Sequence, residues 1–407
     1  MSRQVTRLAV VIGVMVAATA GANAQTPAQT QAQIQAQIQE LRTQIQIHVH
    51  ERIVNTQELM DQIHQLIETS LGASLSQQLS RDLGRSAGEM ARAMEGLHAV
   101  PAIVEQGRDY QFKQESRETK TLAIGASGTL TLKNIAGDII VKAGGSRDAT
   151  VEVVRVSKGK TEADAKAGLE KVTAEVDVRG EHGSVTAKYP TDVHPDYSVS
   201  VSYNVTAPAG TSVWVDSISG QISLTGLQGD TKASTVSGKM DVTSCTKVGS
   251  LRTFSGTITV TDSRSDTKLD VGGISATVTM KNVKAPQVST SVISGKIVAH
   301  DITTDGADFG SMSGDIEFTG AVSPKGRYEF TAHSGDVRLG LTGGFDLELK
   351  TFSGTVTADA SLNLTSSTPA SSSGAKQRTV RGSTGSGGGS VVASTFSGTV
   401  WVGRKLQ

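Results

Sequence analysis

Between residues 218 and 402 the chain returns again and again to one pattern, ΦSGxΦxΦ, where Φ is apolar. It reads ISGQI, VSGKM, FSGTI, ISATV, ISGKI, MSGDI, HSGDV, FSGTV and FSGTV. The glycine slot falls at Gly220, Gly238, Gly256, Ala276, Gly295, Gly314, Gly335, Gly354 and Gly398, so alanine fills it once. Spacings are 18, 18, 20, 19, 19, 21 and 19 residues, followed by a jump of 44. The residue two places after the slot is apolar every time, from Ile222 and Met240 to Val356 and Val400. A reaction needs its nucleophile once, whereas a backbone problem that recurs needs the same solution each time. The pentapeptide TFSGT, written at 253–257, 351–355 and 395–399, is therefore read as architecture.

A period near 19 with apolar–polar alternation inside it predicts a chain that winds, each repeat adding short parallel strands to the one before. The expected fold is mainly β: a parallel β-solenoid (β-helix) of about 19-residue coils, right-handed because parallel crossovers nearly always are. Each glycine marks a corner, where a missing Cβ permits φ > 0 or close backbone approach. The serine beside it can bond the turn backbone. Stacking sets like residues over like, so Thr235, Thr253, Thr351 and Thr395 are expected to form hydroxyl ladders. Gly137, in IAGDIIV, carries the same corner pattern upstream.

The flanking sequence divides the rest. Residues 1–24 place Arg3 and Arg7 before an apolar run and end in Ala22-Asn23-Ala24, as a secretory signal peptide does. No later stretch is apolar enough to span a membrane as a helix. Residues 25–105 are Gln-rich, with Ile34, Ile38, Leu41 and Ile45, then Met60, Ile63, Ile67 and Leu71, on one narrow helical stripe. That stripe suits a coiled coil, formed by folding back on Leu75–Leu97 or by self-association through residues 25–100. Residues 106–210 read as a β region with one short helix, capped by Thr161 and Asp164, that starts the repeats. The repeats fill 211–402, with a Ser/Gly-rich loop at 365–390, and 403–407 form a tail.

Composition narrows the function classes. Thirty-nine basic and 39 acidic residues leave no field to attract nucleic acid. Cys245 is the single cysteine, so no intramolecular disulfide can form. The repeat serines have no repeating His or Asp partner, which argues against nucleophilic catalysis. His48 and His50, two residues apart on a helix, point to different faces and cannot share a metal. Asp192, His194 and Asp196 could offer three metal ligands from one loop, although such Asp/Pro-rich loops are usually turns. His333 fills a slot that is elsewhere apolar and would need a hydrogen bond if that slot is interior. Asp315, Glu317, Asp336 and Arg338 lie near corners, the kind of cluster a polysaccharide-cleaving solenoid would use. No cofactor is implied.

The signal peptide, the NIAGDIIV element, the VSVSYNVTAPAGTSVWV approach and the ΦSGxΦxΦ units together resemble bacterial exported β-strand-repeat proteins regarded as candidate adhesins, domain-of-unknown-function family 4097. The likeness covers roughly 119–402 and implies an extracytoplasmic β-solenoid without an assigned catalytic residue. The expectation is thus a non-enzymatic scaffold, adhesin-like or binding protein of the periplasm or cell envelope, its partner a protein or a surface polysaccharide. Two alternatives stand beside it: a polysaccharide-acting enzyme on the same scaffold, and an envelope signalling or stress component acting through its N-terminal helix.

Overall fold

The computed structural model describes residues 110–190, 196–364, 378–385 and 387–406. The expectations for residues 1–105, His48 and His50 included, lie outside the described residues, as do Asp192 and His194. Among the described residues no helix is long and apolar enough to cross a membrane.

The described chain is mainly β, one mixed sheet of 19 strands with a single α-helix. First come β1 (Phe112–Leu122), β2 (Thr129–Ala136), β3 (Ile139–Gly144) and β4 (Ala149–Gly159), then α1 (Glu162–Lys171). The helix starts where the sequence places its cap: Thr161 Oγ1 accepts from Asp164 N at 3.1 Å, and Thr161 N donates to Asp164 Oδ2 at 3.0 Å. Next follow β5 (Thr173–Arg179), β6 (His182–Lys188), β7 (Tyr197–Pro208), β8 (Ser212–Ser219) and β9 (Ile222–Thr225). The repeats continue as β10 (Asp230–Thr243), β11 (Lys247–Thr261), β12 (Lys268–Lys284), β13 (Gln287–Ser294) and β14 (Ile297–Ser313). The last are β15 (Ile316–Ser334), β16 (Val337–Thr342), β17 (Phe345–Ala358), β18 (Arg378–Thr384) and β19 (Gly389–Gly403).

Successive repeats pair in parallel and in register on both sides of the glycine slot. Ile222 lies beside Met240, Met240 beside Ile258, and the file continues through Val278, Ile297, Ile316 and Val337, all fully buried. A second file four residues after the slot runs from Leu224 and Val242 to Phe318 and Leu339. Where it thickens, Phe309, Phe318 and Phe330 meet with centroids 5.1–5.5 Å apart.

The slot glycines carry the bend. Gly238 has φ 145° and Gly256 φ 147°, and a Cβ on Gly256 would lie 2.0 Å from the Gly238 carbonyl oxygen. Gly354 shows no left-handed φ; there the requirement is proximity alone, 1.9 Å to the Gly398 oxygen. A second bend lies six residues after the slot in the first five repeats. Gly226, Ser244, Asp262, Asn282 and Asp301 occupy it with φ between 49° and 75°. Gly, Asp and Asn are the types that tolerate left-handed backbone; Ser244 is the exception, and its N donates to Thr261 O of the next repeat at 3.1 Å.

Four findings depart from the sequence reading. The sheet is mixed: β1 with β4, β4 with β7, β5 with β6, and β17 with β18 pair antiparallel, because period-two alternation encodes a buried face and not a strand direction. The interior threonines form two register pairs, Thr235 with Thr253 and Thr351 with Thr395, separated by Gly273, Val292, Ser311 and Ala332, and the hydroxyls do not build a ladder. Thr235 Oγ1 donates to Ser237 O at 3.3 Å and Thr395 Oγ1 to Gly335 O at 3.1 Å, while Thr253 Oγ1 has no partner. The segment read as a loop over 365–390 contains β18 and the first residues of β19; the alternation in RTVRGST was masked by its Ser/Gly surroundings. Lastly, β19 does not follow β17 at the end of the stack. It lies between β17 on one side and β15 and β16 on the other.

Candidate functional site

Every ladder skips one residue, the one two places before the slot. Register passes from Thr235 beside Thr253 directly to Ser237 beside Ser255. With the threonine turned inward, the next side chain must project from the outer edge of the bend. Ile218, Val236, Phe254, Ile274, Ile293 and Met312 hold this place in successive repeats, each partly exposed. The file then becomes aromatic. His333 stacks on Phe396 with centroids 4.9 Å apart and planes within 9°, and Phe396 stacks on Phe352 at 4.7 Å and 7°. Phe352 is 49% and Phe396 47% exposed, the two most exposed large apolar side chains described. His333 is therefore no interior histidine in want of a hydrogen bond. Its ring lies flat in an outward stack, and burial pushes its pKa below the ordinary imidazole range.

The acidic residues beside this edge serve the backbone. Asp315 Oδ1 accepts from Asp336 N at 3.0 Å, and Asp336 Oδ1 accepts from Thr399 N at 2.8 Å. Upstream, Asp138 Oδ1 accepts from Gln221 N at 2.9 Å in the same way. Arg338 pairs with Asp336 at 3.1 Å. Glu317 lies 2.8 Å from His300 Nε2 and 3.2 Å from Lys296 Nζ. Partial burial works to raise the Glu317 pKa, and the hydrogen bonds from His300 and Lys296 outweigh it and hold the carboxyl below its usual range. Of the four residues that a catalytic reading would recruit, Asp315, Asp336 and Glu317 are thus bonded across repeats, and Arg338 to Asp336 of its own repeat.

A cleft of about 410 Å³ opens past the second bend of three successive repeats, lined by Arg264, Asp266, Lys284, Pro286, Thr304 and Asp305 among others. It presents two carboxylates and two cations from three successive repeats, Arg264 and Asp266 from the first, Lys284 from the second and Asp305 from the third, a constellation absent from the sequence reading. Of the loop once considered for metal binding, only Asp196 is described, and its carboxylate meets Lys160 Nζ at 2.8 Å. No cluster of three or more metal-ligating side chains occurs among the described residues. Cys245 is buried, and burial pushes its thiol pKa up.

The in-register bends and their outward file run on from β8 and β10 through β11 to β19, and it is this last stretch that a known family covers. Residues 250–402 match the Toastrack DUF4097 family. The resemblance drawn from the ΦSGxΦxΦ units holds over that stretch, which takes in the ring stack and the reordered last repeats. The repeats at Gly220 and Gly238 lie outside the matched residues and pair in the same register as those within it. Solved structures similar to the chain include an adhesin candidate from Parabacteroides distasonis, 13% identical over 71% of this chain and 97% of that one, TM-score 0.38. Another, from Bacteroides fragilis, is 9% identical over 70% of this chain and 97% of that one, TM-score 0.35. A candidate cell adhesion protein of Clostridium sporogenes is 12% identical over 71% and 99%, TM-score 0.18. No curated protein matches the chain.

Proposed function

We propose that this chain is an exported, non-enzymatic β-solenoid that binds a partner at the cell envelope in the manner of an adhesin, and that the outer bend edge is its binding surface. The observation that carries this reading is the stack Phe352–Phe396–His333, at the end of a continuous apolar file. Two phenylalanines about half exposed cost solubility and contribute no interior packing, and flat aromatic faces are what interface anchors are made of. The partner is a protein or a surface polysaccharide, either of which can lie against planar rings. Binding of labelled protein to isolated bacterial envelopes tests it. Phe352→Ser with Phe396→Ser should weaken binding about tenfold or more at an unchanged urea midpoint, as loss of an interface anchor does. Undiminished binding by the folded double variant would refute the assignment.

The cleft gives the polysaccharide-acting alternative a specific footing, since it holds two carboxylates, Asp266 and Asp305, two repeats apart on either side of Pro286. Release of reducing ends from envelope polysaccharide by the wild type, abolished in Asp266→Asn or Asp305→Asn, would favour that reading over the first.

A further inference from the structure

The order of the last repeats has a consequence for how copies of this chain meet. β16 ends at Thr342 and β17 begins at Phe345, so only Gly343 and Gly344 join them. Yet no register pairs β17 with β15 or β16. The chain steps past one level and builds the next. β19 fills the level left open, with Arg327–Ser334 of β15 and Val337–Gly340 of β16 on one side and Phe345–Ala358 of β17 on the other. Its corner is fitted on both faces: a Cβ on Gly398 would lie 2.2 Å from the Gly335 oxygen, and one on Gly354 1.9 Å from the Gly398 oxygen. β18 pairs antiparallel with the far edge of β17, so β18 and β19 grip that strand between them as a clip.

We propose that the gap between the β15–β16 level and β17 is a strand-acceptor site, and that its second occupant is the β18–β19 clip of another copy of this chain, giving a reciprocally exchanged dimer. The ladders that hold the clip lie within β15–β19 and involve none of residues 365–377, so the same bonds form when the clip comes from a neighbour. The gap must also wait. β17 is made before β19, and until a clip arrives both walls present unpaired strand edges, the usual route to pairing between molecules. A neighbour's clip has the same sequence as the chain's own and makes the same ladders, so the bonds themselves do not tell the two apart. Proximity does. A short tether gives an effective concentration of order mM, so exchange should be on the order of 1% at ~10 μM protein and comparable to the monomer near ~1 mM. This inference is independent of the bend-edge reading, and its test involves no ligand.

Thr331 and Ser394 are register partners with hydroxyl oxygens 3.4 Å apart. Full-length Thr331→Cys and Ser394→Cys chains are refolded together and treated with a short thiol-bridging reagent; a chain carrying both cysteines should bridge internally and calibrates the yield. Exchange predicts a covalent heterodimer that grows with protein concentration and exceeds that from Thr129→Cys with Ser394→Cys, which are not register partners. Chains that refold poorly are co-expressed instead, and the same comparison is made. A heterodimer no more abundant than that control, in chains with native circular dichroism, overturns the proposal.

Discussion

Replacing Gly256 by alanine places the bend geometry under direct test. At φ 147° an L-residue is strained by about 1–3 kcal/mol. The added Cβ would sit 2.0 Å from the Gly238 oxygen, so the two levels must part by about 1 Å to reach a tolerable contact. That movement stretches the ladder bonds on either side of the bend, each contributing about 1 kcal/mol. The sum is roughly 3–5 kcal/mol, a large share of the ~5–15 kcal/mol that a folded domain holds in reserve. The protein supplies its own control at Ala276, which fills the same slot without a positive φ. That repeat carries glycine three places earlier: a Cβ on Gly273 would meet the Thr253 oxygen at 2.1 Å and the Ala276 Cβ at 3.0 Å. Ala276→Gly should therefore cost only about 0.5–1 kcal/mol. Urea unfolding followed by circular dichroism reads both variants. A Gly256→Ala cost below about 1 kcal/mol, or equal costs at the two positions, would refute the reasoning.

The interior threonines give a paired contrast: Thr395→Val removes a bond to the Gly335 oxygen and should cost about 1 kcal/mol, whereas Thr253→Val removes an unpartnered buried hydroxyl and should be neutral or stabilising by about 1 kcal/mol in the same assay. Glu317 has a lowered folded-state pKa, so the stability it contributes is present above its unfolded value of about 4.5 and is lost as pH falls through the lower folded value. Glu317→Gln should accordingly flatten the acid limb of the stability profile below about pH 5 and leave the slope near pH 8 unchanged. Cys245 is 1% exposed with a raised thiol pKa, so a thiol reagent should label it only on unfolding, and rapid labelling of the native protein would contradict its placement.

What could be read from the sequence follows from what repetition encodes. Stacked repeats put equivalent positions in equivalent surroundings, so Ile222, Met240 and Ile258 declare a shared file by spacing alone. The order of levels leaves no such mark, because Thr351–Val356 and Thr395–Val400 are identical and either could lie beside β16. The apolar residue before Ser-Gly misleads for a different reason. Alternation counts it as core, but the bend rotates it outward and turns Thr235 or Thr395 in. The second bend does carry a mark in the sequence: Gly, Asp, Asn and Asp, with one Ser, recur six residues after the slot in the first five repeats, and all but the Ser are types that tolerate left-handed backbone.

The charged strand at the start of the sheet bears on how such a protein could change in size. β1 lies antiparallel on β4 and carries Lys113, Glu115, Arg117, Glu118 and Lys120, paired with one another along the strand. At the opposite extremity β18 likewise runs against its neighbour. Each end thus carries a reversed strand, β4 on β7 and β18 on Phe345–Thr351 of β17, which cannot continue the parallel ladder where it lies, and growth from within leaves both seals in place. Duplicating residues 239–256 in place would splice in one full period, adding a storey of about 4.8 Å while both seals stay as they are.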